Sequence, residues 1–377
     1  MPNPGNNDHH QDASSAPGVH SLAEILSQCT CWNACLAALR QTGQLQKIAD
    51  SFAGATEWLF VGCGSSYYVA LAAAATMTSL TGLRARAIPA SEILLYPNLV
   101  LAAETYVPVL ISRSGQTSEV VAAAEMLEAR GIRSLAITCA AGQLLERLAT
   151  HTIVLSGADE KSMVMTRSFT SMLLALQALA GVVAGDAGFV DSLYAMPESA
   201  APFLPSLPER IRGFVDAHRF ADYVYLGQGP FYGLACEGAL KITEMSVSYA
   251  QSFHTLEFRH GPKSIVGPET LLVFLLSDSG YQAECETLEE MKALGATTLV
   301  VANRADSRAR GAADLLVELP LDLPEMARLA SCLFAAQLLG LYTGLKKGFD
   351  PDSPRNLSRV VLLDGEKPRA KPEHASI

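Results

Sequence analysis

The chain has 377 residues, nearly half of them apolar and fewer than a fifth charged, which is enough for two buried cores. A formal net charge of -10 and a pI near 5.3 argue against nucleic acid or an anionic membrane as partner, because neither attracts an acidic surface. No uninterrupted apolar run of 18 residues is present, so no spanning helix is expected.

Residues 1–20 are polar and lack the apolar stretch of a signal peptide, so a disordered tail is expected there. Eight cysteines without framework spacing suggest reduced thiols in a cytoplasmic protein. Cys29, Cys31 and Cys35 cluster on an apolar helix with Leu26, Trp32, Leu36 and Leu39. Their spacing fits no common zinc pattern, and buried thiols are the expectation.

Trp58 to Gly64 (WLFVGCG) is an apolar run ending in glycines, followed by an Ala-rich helical stretch. Gly62-Cys63-Gly64-Ser65-Ser66 therefore sits between a strand and a helix, where glycines let backbone amides approach a ligand and the hydroxyls donate hydrogen bonds. A dinucleotide fingerprint would place glycine where Tyr67 stands and an acid at the tip of the next strand, around 84–88. The nearest acid, Glu92, comes too late. Cys63 has the look of a nucleophile but no histidine nearby in sequence, so a packing thiol is the better reading.

Val107 to Ile111 is a second buried-type strand, running into Ser112-Arg113-Ser114-Gly115-Gln116-Thr117. Three hydroxyls, a glycine and a helix start form a second anion cradle. Without a Walker lysine, the two turns suit a monophosphate better than a nucleotide. A third strand, Ser134 to Thr138, follows Gly131. The Pro-rich stretch Pro197 to Pro208 reads as a linker.

The pattern then recurs. Gly227 in Tyr223 to Gly229 (YVYLGQG) lies 165 residues after Gly62. Ser277 in Leu272 to Gly280 (LVFLLSDSG) lies 165 after Ser112. The strand Thr298 to Ala302 follows Gly295, which is 164 residues after Gly131. The chain is a tandem duplication of an α/β unit with a parallel sheet covered on both faces. The expected boundaries are 21–188 and 190–363, with a C-terminal tail over 364–377. In the second copy the turns have lost hydroxyls and gained Asp278, which disfavours phosphate.

The second copy instead carries Cys236 to Ser246 (CEGALKITEMS) and Phe258 to Lys263 (FRHGPK). On a helix, Lys241 shares a face with Glu237 and Glu244. That spacing fits a solvated salt-bridge ladder as well as a catalytic group, and a histidine before Gly-Pro fits a turn as well as a catalyst.

Six stretches in order (GCGSS at 62–66, SRSGQT at 112–117, MTRSFTSMLLA at 165–175, EGALKITE at 237–244, FRHGPKS at 258–264 and DPDSPRNLSR at 350–359) resemble the SIS (sugar isomerase) family. The likeness is to the isomerase half of glutamine–fructose-6-phosphate aminotransferase and to the tagatose-6-phosphate ketose/aldose isomerase and amino-sugar-6-phosphate deaminase/isomerase group. It implies two tandem flavodoxin-like three-layer α/β/α domains. It implies a sugar phosphate held by Gly64, Ser65, Ser66, Ser112, Arg113, Ser114 and Thr117, with Cys63, Ser358 and Arg359 as further contacts. It also implies Glu244 as the base moving a proton between carbons 1 and 2, Lys241 beside it, and His260 reaching the site from the other subunit of a homodimer.

No metal or other cofactor is expected. Arg167, Glu257 and Lys263 are candidates for the rim. Two departures limit the resemblance. The start Met1-Pro2-Asn3 is not that of a glutaminase, so glutamine-dependent synthesis is not expected. Arg359 stands where the synthase has a lysine, and a guanidinium cannot form an imine. The expected activity is aldose/ketose isomerisation of an amino-sugar 6-phosphate with release of ammonia. The alternative is a non-catalytic sugar-phosphate-binding regulator, although no DNA-binding segment accompanies the core.

Overall fold

The computed structural model describes residues 16–102 and 105–362. The expected tail over 364–377 and most of that over 1–20 lie outside the described residues. Two five-stranded parallel sheets organise the chain. The first comprises β1 (Glu57–Gly62), β2 (Arg84–Pro89), β3 (Tyr106–Ile111), β4 (Leu135–Thr138) and β5 (His151–Val154), in the order β2-β1-β3-β4-β5. The second comprises β6 (Asp222–Gly227), β7 (Ala250–Phe253), β8 (Thr270–Leu275), β9 (Thr297–Ala302) and β10 (Leu315–Glu318), in the order β10-β9-β8-β6-β7. Counted from each half's first strand, both orders are 2-1-3-4-5, the flavodoxin-like arrangement with its switch point between first and third strands. The duplication inferred from spacing is therefore a duplication of topology.

Strand periodicity explains the layering. Trp58 and Phe60 of β1 enter one core and Leu59 and Val61 the opposite one; in β6, Tyr223 and Tyr225 separate likewise from Val224 and Leu226. The core facing inward from both sheets is one continuous cluster. It is filled by four helices: α1 (Ser65–Thr81), α2 (Arg167–Ala184), α3 (Phe231–Ser246) and α4 (Leu333–Lys346). Each sheet is thus sandwiched by helices, and the inner helical layer is shared. Segments 167–184 and 325–346 have the length and composition of membrane spans, but both are largely buried in this layer.

Small residues let the inner helices close up. A Cβ on Gly233 of α3 would lie 2.9 Å from Tyr68 O on α1, and one on Gly344 of α4 would lie 2.2 Å from Met245 O on α3. The cysteine-bearing helix Gln28–Thr42 packs onto this layer, with Trp32 stacked on Phe334 and its Nε1 donating to Thr170 Oγ1 at 2.8 Å. Cys29, Cys31 and Cys35 are buried there.

Two local expectations change. The first helix begins at Val19, inside the expected tail, because the amides of Gly18, His20 and Ser21 are held by the carboxylates of Asp350 and Asp352 at 2.6–2.9 Å. The Pro-rich stretch is helical, through Ala187–Ala200, a 3₁₀ segment Ala201–Ser206 and Leu207–Ala217. Pro202 and Pro208 fall in first turns, where no backbone amide is required, so proline there starts helices.

Candidate active site

The GCGSS turn follows β1 and the SRSGQT turn follows β3, and these strands are hydrogen-bonded neighbours. Both turns therefore meet at one carboxyl edge of the first sheet. Gly62 has no room for a side chain, since a Cβ would sit 2.6 Å from the Ser66 carbonyl carbon. Gly64 has φ +54 and ψ -128, a conformation that glycine adopts without strain. These two glycines swing the chain sharply into α1, and Ser65 and Ser66 begin that helix, nearly buried.

In the second turn, Ser112 Oγ lies 3.0 Å from Thr117 Oγ1 and 3.4 Å from Ser114 Oγ, and it accepts the Gly115 amide at 3.1 Å. Thr117 occupies the N-cap of helix Ser118–Ala129 without bonding the helix amides. The turn thus gathers three hydroxyls at a helix start, a donor set for an oxyanion.

Arg113 belongs to the turn by sequence but not by its side chain. Its guanidinium is buried against Glu160 at 3.3 Å and donates to the carbonyls of Val164, Met163 and Arg359 at 2.7–3.3 Å. Glu160 in turn accepts from the amide and hydroxyl of Thr166, both at 2.7 Å, and from Ser168. The MTRSF stretch is thereby a clamp on the SRSGQT turn. Its Arg167 points elsewhere, to Ser27 Oγ at 3.2 Å and the Asp159 carbonyl.

Cys63 is a half-buried thiol pushed up to about 11 by burial and by nearby Glu119, so it is neutral at neutral pH.

Helix α3 brings the second half to this edge. Lys241 has no exposed surface; its Nζ lies 3.1 Å from Glu237 Oε1 and 2.5 Å from Glu244 Oε2. Ser65 Oγ donates to Glu237 Oε1 at 3.1 Å, and Lys241 Nζ is 3.5 Å from Ser65 Oγ. The GCGSS turn of one half is therefore bonded to the carboxylate–lysine cluster of the other.

Glu237 is fully buried, with Oε2 unbonded among the described residues. Burial raises its pKa to about 7; Lys241 opposes the rise and Glu244 adds to it. Burial alone would lower Lys241, but Glu237 and Glu244 outweigh it and raise its pKa, so it stays protonated. Glu244 is the open member of the three, with 17% of its side chain exposed.

His260 is exposed, in a loop between β7 and β8, and among the described residues its ring makes no bond to this cluster. The loop is fixed: Arg259 and Lys263 reach Glu290 at 2.8 and 2.6 Å, and His254 stacks on Tyr232 of α3 at 3.9 Å. Glu257 is exposed.

The C-terminal segment returns to the first half. Ser118 donates its amide to Val361 O at 3.2 Å, and Arg359 pairs with Asp159 at 2.6 Å. The exposed Ser358 hydroxyl turns to Val360 O. Arg359 therefore lies beside the SRSGQT turn with its guanidinium held on the outside. Among the described residues, no group of three or more His, Cys, Asp or Glu could hold a metal.

Sequence reasoning missed Glu160, Glu24, Asp350 and Asp352 as organisers. Glu24 accepts from Lys161 and Ser162, more than a hundred residues away, so no local spacing announces it.

Comparison with known proteins places both halves in one domain family. The SIS domain family model matches residues 51–181 and 222–339, one match for each sheet with the helices around it. Glutamine--fructose-6-phosphate aminotransferase [isomerizing] from Caldanaerobacter subterraneus is 27% identical over 316 residues, covering 81% of this chain and 51% of the relative. The same-named protein of Bacteroides thetaiotaomicron is 29% identical over 329 residues, covering 84% and 52%. The chain spans about half the length of these curated relatives.

Among solved structures, glucosamine-6-phosphate deaminase from Thermotoga maritima aligns with TM-score 0.73 and 29% identity over 91% of this chain and 100% of that one. Tagatose-6-phosphate ketose/aldose isomerase from Escherichia coli aligns with TM-score 0.79 and 25% identity over 93% and 98%. With both halves matched and both sheets in the order that the duplication requires, the chain belongs to the SIS domain family.

Proposed function

We propose that the chain is a sugar-phosphate aldose/ketose isomerase acting on an amino-sugar 6-phosphate with release of ammonia. The observation that carries this reading is the Ser65–Glu237–Lys241–Glu244 cluster, which joins an oxyanion cradle to a half-open carboxylate beside a buried, protonated lysine. Family membership and the likeness to a deaminase and an isomerase support it.

In this reading Ser65, Ser66, Ser112, Ser114 and Thr117, with the backbone at Gly64, hold the substrate phosphate. Arg113 shapes the turn from behind. Binding the remote phosphate positions the reacting carbons. Glu244 takes the proton from carbon 2 of the open-chain amino-aldose, giving an enolamine, and returns a proton to carbon 1. The resulting 2-imine takes up water and releases ammonia, leaving the ketose 6-phosphate. Lys241, held charged, stabilises negative charge developing on the oxygen of carbon 1.

His260 assists ring opening from the second subunit of a homodimer. Its exposure on a pinned loop supports this, as does the exposed apolar surface of Val247, Tyr249 and Ile265 flanking that loop in the chain. Eight free cysteines fit a cytoplasmic enzyme.

The test is ammonia release and ketose-phosphate formation from glucosamine-6-phosphate and galactosamine-6-phosphate, with Glu244→Gln as control. Ammonia from the wild type alone is the expected result. Tight binding of one sugar phosphate without turnover of any would instead support a regulatory protein.

A further inference from the structure

The second half retains its own copy of the phosphate turn, Ser277-Asp278-Ser279-Gly280, after β8 and ahead of helix Tyr281–Ala293. The two turns are built alike. The Gly115 amide donates to Ser112 Oγ at 3.1 Å, and the Gly280 amide donates to Ser277 Oγ at 2.9 Å. They differ in what their remaining donors meet. Among the described residues, the Arg113 and Ser114 amides of the first turn have no acceptor from the protein. The equivalent amides of Asp278 and Ser279 both donate to the carboxylate of Glu325, that of Ser279 at 3.2 Å. The Ser279 hydroxyl joins them at 2.7 Å.

We infer that Glu325 is a tethered substitute for phosphate: the duplicated anion nest persists in the second half, and the chain's own carboxylate closes it. The inference rests on the reading that the first turn takes phosphate. Two amides and a hydroxyl converging on one carboxylate are the donors an oxyanion needs, and they are filled from within. Glu284 similarly takes the Ser277 amide at 2.7 Å and its hydroxyl at 3.1 Å.

The plug is fixed in place. Glu325 opens the 3₁₀ segment Glu325–Cys332, and buried Arg328, one turn on, pairs with Asp278 and donates from Nε to Leu323 O at 2.9 Å. A carboxylate tethered in this way has an effective concentration of millimolar order or more, so ordinary phosphate does not displace it. Outside the turn lies a hollow of about 360 Å³ lined by Ser279, Gly280, Gln282, Ala283 and Glu286, large enough to admit a phosphate once the carboxylate is gone. Glu286 and Asp278 add repulsion. Each chain therefore holds one phosphate-bearing ligand, and its second half is left to present the catalytic helix. Withdrawing Glu325 opens a second site for inorganic phosphate or a phosphomonoester.

The experiment is calorimetric titration of the full chain with inorganic phosphate. Four proteins are compared: wild type, S112A/S114A, D278N/E325A and the combination of all four substitutions. The expected stoichiometries are one phosphate per chain for wild type, none for S112A/S114A, two for D278N/E325A and one for the combination. D278N/E325Q, which keeps the length and acceptor oxygen of the side chain, guards against loss of folding; it is expected to gain the same second site with weaker binding. Wild-type stoichiometry in both D278N/E325A and D278N/E325Q, or two sites in the wild type, overturns the inference. Unchanged binding in S112A/S114A overturns the reading of the first turn instead, while the wild-type to D278N/E325A difference still judges Glu325.

Discussion

A fully buried ammonium is tolerated only where its charge is matched, and Lys241 is matched by two carboxylates. With both ionised the cluster would be negative, and burial holds Glu237 near neutrality as the member that gives up its charge. The same physics acts on Glu284, whose pKa burial raises to about 7, with Glu325 adding to the rise and Ser277 opposing it. Between about 4.5 and 7 the folded chain then binds a proton at Glu284 that the unfolded chain has released. Stability falls as pH rises through that window, by up to about 3 kcal/mol from this group. Glu284→Gln is expected to flatten the slope, read from denaturation midpoints at pH 5 and 7.5; an unchanged slope would contradict it. At this scale the sequence carries residue types and spacings but not orientation. The spacing of Lys241 and Glu244 is visible, yet it does not say that the whole face is buried. Arg113 looks like a phosphate ligand because it sits between two serines, whereas Glu160 and three carbonyls draw its guanidinium away.

Between elements, the contact that sets the site is α3 pressed between α1 and α4, and glycine makes it possible. Gly344→Ala forces a methyl against the Met245 carbonyl and is expected to cost about 1–3 kcal/mol. Gly213→Ala, on the exposed face of helix Leu207–Ala217 with open space around it, is expected to stabilise by about 0.5–1 kcal/mol. Urea denaturation of both variants checks the pair, and equal effects would show that close packing at Gly344 is not limiting. Strands are legible in advance because a doubly covered parallel strand must be a continuous apolar run, as at 58–61 and 272–276. The helical course of Pro197–Pro208 is not, because proline marks breaks and helix starts alike; the outcome depends on register within the turn.

At the scale of the molecule, one unit used twice has divided its labour. The first copy leaves the amides of its turn open, the second closes its own with Glu325, and the shared helical layer brings Glu237 and Lys241 across to Ser65. The constant offset of 164–165 residues made the duplication readable, whereas Glu325 comes 46 and 47 residues after the amides it caps, too far for a motif. If His260 acts across a two-fold axis, mixing inactive Glu244→Gln and His260→Ala chains restores about a quarter of wild-type activity, because one site in each mixed dimer is intact. No recovery after confirmed subunit exchange would place His260 elsewhere. In the proposed reaction Glu244 moves a proton between neighbouring carbons of a phosphate-anchored sugar. This transfer is tested most directly by incubating the chain with ketose 6-phosphates in deuterium oxide and following carbon 1 by proton NMR. Loss of a carbon 1 proton signal with wild type, but not with Glu244→Gln, is the predicted result; equal exchange in both would contradict it.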